Sequence, residues 1–70
     1  MLITKQDVGK TVTFRCGDIG LIFAWNHHHT NPVQIRSIKY GDTASYSVEG
    51  KWVAGNDRDT PSDVIAFVEP

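Results

Sequence analysis

Three consecutive histidines, His27, His28 and His29, stand in the polar segment Asn26–Pro32. Imidazole is a metal ligand and a proton carrier near neutral pH. In an extended segment His27 and His29 point one way and His28 the other, so two rings could chelate an ion. Structural zinc takes four ligands, and Cys16 has no Cys-x-x-Cys partner to supply the rest. No metal is expected, and the segment reads as a solvated loop that leaves His28 as a binding candidate. A second group of ligating residues lies in Asn56–Asp63, where Asp57, Asp59 and Asp63 surround Arg58. A calcium loop of the EF-hand type needs glycine at its sixth position and glutamate at its twelfth, and neither is present. Asp63 reads instead as a cap, and Asp57 or Asp59 as an ion-pair partner of Arg58.

Catalytic arrangements are missing. There is no Gly-x-Ser-x-Gly elbow before a helix and no glycine-rich phosphate cradle opening one. Cys16 alternates with Val12 and Phe14, which assigns it to the core rather than to a nucleophile. No enzyme activity and no cofactor are expected. The aromatic residues Phe14, Phe23, Trp25, Tyr40, Tyr46, Trp52 and Phe67 mostly read as core. Trp52 follows the Glu49-Gly50-Lys51 turn and Tyr40 precedes Gly41-Asp42, so both are placed at sheet ends. An exposed aromatic beside Arg36, Lys39 or Arg58 suits an interface anchor or a base-stacking site.

The elements that must hold these residues follow a period of two. Lys10–Cys16 alternates as a half-buried strand. Gly17-Asp18 turns the chain into Ile19–Trp25, whose apolar residues on both sides suggest a central strand covered on both faces. Pro32 suits the start of the next strand, Val33–Tyr40, where the apolar phase slips and implies a bulge near Ser37. Gly41-Asp42 leads to Ala44, Tyr46 and Val48 in alternation, and Glu49-Gly50 to a short strand Lys51–Ala54. Thr60-Pro61-Ser62-Asp63 carries a helix-start pattern. The β-branched run after it reads as a final strand fed by one short helical turn near residues 60–63. The expectation is an all-β fold: an SH3-like, partly open barrel, or a strongly bent antiparallel sheet of five or six short strands.

Seventy residues suffice for one domain, residues 1–70, with a small core that a second copy would help to stabilise. Seven Lys and Arg against eight Asp and Glu leave no basic excess, which disfavours non-specific duplex nucleic-acid binding. The opening residues carry no apolar run followed by a cleavage site, and one lone cysteine fits a reducing compartment. A cytoplasmic location, away from membranes, is expected.

Two stretches carry a resemblance. Asp7-Val8-Gly9-Lys10 leads into Thr11–Asp18, and Tyr46-Ser47-Val48-Glu49-Gly50-Lys51 is followed by Ser62-Asp63-Val64-Ile65. The combination resembles small proteins encoded by tailed bacteriophages and prophages. The resemblance implies an accessory factor that binds a host protein, a defence component or a signalling nucleotide. The resulting expectation is a non-enzymatic binding module acting through a protein interface, with homo-oligomerisation. The alternative is a protein that binds or sequesters a nucleotide or single-stranded nucleic acid.

Overall fold

The computed structural model describes residues 2–52 and 59–68. Five strands form one antiparallel sheet: β1 (Thr11–Phe14), β2 (Ile19–Trp25), β3 (Val33–Ser37), β4 (Thr43–Tyr46) and β5 (Val64–Phe67). Their order is β4-β3-β2-β1-β5, a meander whose last strand returns beside the first. The alternation in β1 sends Val12 and Phe14 inward and leaves Thr11 and Thr13 half-buried.

The sheet is bent and open, as the fold expectation had it. Its two edge strands are joined by Ser47–Trp52 rather than by each other. Tyr46 bridges Trp52, and the Val64 N–H donates to Gly50 O at 2.9 Å. Phe14 of β1 and Tyr46 of β4 have two strands between them, yet their rings stack at 5.9 Å. Curvature of this degree requires Gly20 on the concave side of β2. A Cβ there would lie 2.5 Å from Phe14 Cζ and 2.7 Å from Ile35 Cγ2. Gly50 is bound twice over: its φ is 87°, and a Cβ would meet Val64 O at 2.8 Å. The core on this side is Ile3, Val12, Phe14, Ile22, Val33, Ile35, Tyr46 and Val64, with Trp25, Ala44, Trp52 and Phe67 packed against it.

Several sequence expectations change. β2 is central in the sheet, but only one of its faces is covered. Ile19 and Phe23 remain 41% and 40% exposed, because a single layer of five strands has nothing to place over its convex side. The slip assigned to Ser37 is absent: β3 ends there, and Ile38–Tyr40 form a turn closed by the Gly41 N–H to Ser37 O bond. The bulge lies on the partner strand. Ile22 pairs with Ile35 and Ala24 with Gln34, leaving Phe23 unmatched, and the extra residue brings Trp25 into register with buried Val33.

Cys16 is exposed rather than core. β1 stops at Phe14, and the Gly17 N–H to Phe14 O bond carries Arg15 and Cys16 into the turn, out of the strand's alternation. Of the proposed strand Lys51–Ala54, Trp52 forms a bridge with Tyr46, and residues 53 and 54 lie outside those described. Thr60–Asp63 is a hydrogen-bonded turn, not a helical one. Among the described residues the one 3₁₀ turn is Lys5–Asp7, where the Asp7 carboxylate accepts from the Thr4 N–H at 2.8 Å.

Candidate functional site

A meander places alternate turns at the same end of the sheet. The β1–β2 turn, the β3–β4 turn and the turn before β5 therefore gather at one end, and Cys16 N–H donating to Pro61 O ties the first to the third. Between them opens a cavity of about 520 Å³. Phe14, Ile35, Ala44, Tyr46 and Trp52 make its apolar lining, while Cys16, Asp18, Ser37, Tyr40, Asp42, Thr43 and Ser62 complete it. No lysine or arginine is among these residues. The Asp18 and Asp42 carboxylates make no ion pair with any described residue.

Tyr46 is 5% exposed and lines the cavity. Burial pushes its pKa up to about 12, helped by the nearby Asp63 and Cys16. The group is thus a neutral phenol, able to donate and to accept inside the cavity.

Trp52 is held in place from behind by Asp63, which is 2% exposed. Oδ1 of Asp63 accepts from the Trp52 N–H at 3.0 Å and from Thr60 Oγ1 at 2.9 Å. Oδ2 accepts from the Thr60 N–H at 3.0 Å and from Lys51 Nζ at 3.3 Å. Burial works to raise this carboxyl, but the bonds from the Trp52 and Thr60 backbones, the Thr60 hydroxyl and Lys51 outweigh it and hold the pKa at about 2. Arg15 Nη2 lies 3.8 Å from the same carboxylate. Lys51 also bonds to Asp59 at 2.6 Å, the main reason its ammonium is held above the usual lysine range. Asp63 therefore caps a turn at Thr60 rather than a helix, and it reaches Trp52 as well.

The residues singled out from sequence do not form one cluster. Tyr40 and Trp52 line the cavity. Arg36 and Lys39 do not: the Arg36 guanidinium lies 5.6 Å from the Phe23 ring centre, and Lys39 Nζ lies 5.2 Å from that of Tyr40. Arg58 lies outside the described residues. His28 is in the β2–β3 turn, at the opposite end of the sheet.

The histidine segment is turned rather than extended. Asn26 Oδ1 accepts from the His28 N–H, and the His29 N–H donates to Asn26 O. The His27 and His28 rings consequently lie 4.0 Å apart instead of facing opposite ways. Among the described residues no three His, Cys, Asp or Glu side chains gather as metal ligands.

Sequence reasoning missed Phe14, Tyr46, Asp18 and Asp42 as site residues. One signal was available: Gly17-Asp18 and Gly41-Asp42 repeat the same pair at two turns that a meander brings to one end. Comparison with protein-family models, curated proteins and solved structures gives no match. No helix among the described residues is long and apolar enough to cross a membrane.

Proposed function

We propose that this chain is a non-enzymatic binding module that engages a protein partner through the cavity at the turn end of its sheet. The observation that carries this reading is the aromatic-lined cavity of about 520 Å³, formed by Phe14, Tyr40, Tyr46 and Trp52 from four separate segments. Its size falls in the range of binding pockets, ~300–1,000 Å³. The phage or prophage accessory role and the cytoplasmic location belong to the same proposal, as does homo-oligomerisation. Exposed Ile19, Phe23 and Ile38 on and beside the convex face support the last of these.

The nucleotide alternative draws less support. Phosphates would meet the Asp18 and Asp42 carboxylates, which make no ion pair with a described residue, while Arg36 and Lys39 stand outside the lining.

The test is affinity capture compared between the parent chain and Thr43→Arg, which places a long side chain at an exposed position of the lining. Proteins retained by the parent and lost by a folded Thr43→Arg variant support the reading. Identical capture by both sinks it.

A further inference from the structure

We infer that the cavity takes an arginine side chain presented by the partner polypeptide. The inference rests on the binding reading above and names the ligand chemistry of that same site. The aromatic rings of Phe14, Tyr40, Tyr46 and Trp52 offer faces that attract cations. Asp18 and Asp42 come from two different turns, are half-buried and exposed respectively, and make no ion pair with a described residue. Among the described residues no lysine or arginine lines the cavity, and the nearest printed cation contact to a lining ring is Lys39 Nζ, 5.2 Å from the Tyr40 ring centre.

The Tyr46 hydroxyl adds a polar group to the same lining residues. It belongs to a residue that is 95% buried and lines the cavity. As a neutral phenol it can accept an N–H bond. A guanidinium satisfies all three demands: a planar face for the rings, N–H groups for two carboxylates, and one more for the phenol oxygen. A compact ammonium lacks the planar face, and a phosphate or carboxylate would be repelled by Asp18 and Asp42. The cavity exceeds one side chain in size, which leaves room for the backbone on either side of the arginine.

The test is an amide-resolved NMR titration of the full chain with four capped tripeptides of the form Gly-X-Gly, X being arginine, lysine, citrulline or glutamate. Citrulline keeps the planar shape of arginine without its charge. The arginine peptide is expected to shift the amides of Asp18, Asp42 and Trp52 and to bind at least ~10-fold more tightly than the citrulline peptide. Salt should weaken it. The double variant Asp18→Asn, Asp42→Asn, whose positions lie in turns outside the core, should lose at least ~10-fold in affinity while keeping the parent's melting temperature.

Equal binding of citrulline or glutamate, full affinity in the double variant, or no shift with any peptide up to ~10 mM would overturn the arginine assignment. So would shifts produced by nucleoside monophosphates and not by the arginine peptide. None of these touches the capture comparison with Thr43→Arg, so the two readings fail separately.

Discussion

Replacing Asp63 by asparagine changes one atom in shape and removes the acceptor on which the turn end of the sheet depends. Each carboxylate oxygen takes one backbone N–H: Oδ1 that of Trp52 and Oδ2 that of Thr60, both at 3.0 Å. An amide has one acceptor oxygen. Whichever way it turns, its NH₂ faces a buried N–H, and either the Thr60 hydroxyl or Lys51 also loses its acceptor. An unsatisfied buried donor costs ~1–3 kcal/mol, and lost hydrogen bonds to a charged group add ~1.5–3 kcal/mol. After partial relaxation, a loss of ~2–4 kcal/mol at neutral pH is expected, comparable with the ~3–5 kcal/mol that a core of this size supplies.

The pH dependence gives a second readout. The native carboxyl sits at about 2, against an ordinary 3.8. A depressed pKa stabilises the fold above the unfolded value, and that contribution, ~2 kcal/mol, disappears as pH falls through the native one. Urea unfolding followed by tryptophan fluorescence should show the parent losing ~2 kcal/mol more than Asp63→Asn between about pH 5 and pH 2. If the variant is too unstable to give a baseline, the native carboxyl can be titrated directly by NMR in the parent. A variant within ~0.5 kcal/mol of the parent at neutral pH, parallel pH curves, or a native midpoint near 3.8 would refute the account.

Gly20→Ala should destabilise the chain by ~1–3 kcal/mol, because Phe14 and Ile35 occupy the space of the added methyl. Thermal melts check this, and an unchanged midpoint would mean that the sheet is less curved at β2. In a Tyr40→Phe background the remaining tyrosine, Tyr46, should ionise near 12 by ultraviolet titration. Since burial raises this pKa above the ordinary 10, its stabilising contribution is present below 10 and is lost as pH rises toward 12. A midpoint near 10 would place Tyr46 in solvent. Exposed Cys16 should react with a thiol reagent in the folded chain at one equivalent. A bulky maleimide there should reduce binding of the arginine peptide, whereas a thiol that reacts only after denaturation would return Cys16 to the core.

What the sequence determined by itself is the set of local periods and turns. Alternation in Thr11–Phe14 and in Thr43–Tyr46, and the glycine turns at Gly17, Gly41 and Gly50, depend on neighbours in the chain, so strand identity and the all-β class were legible. Tyr40 and Trp52 stood out for the same reason, since each adjoins a turn, and both line the cavity. The tertiary structure decided which face of each strand is inside. Ile19, Leu21 and Phe23 are as apolar as Ile22, and only the way the sheet curls over Gly20 determines which side closes.

It also decided which residues meet. Phe14 and Tyr46 touch because the curl removes the width of two strands between them, and Trp52 joins them because a buried carboxylate eleven residues on holds its N–H. The histidines, the most conspicuous chemistry in the chain, fall at the other end of the sheet because antiparallel turns alternate ends. The site is assembled by curvature, a property that no single strand carries in its own pattern.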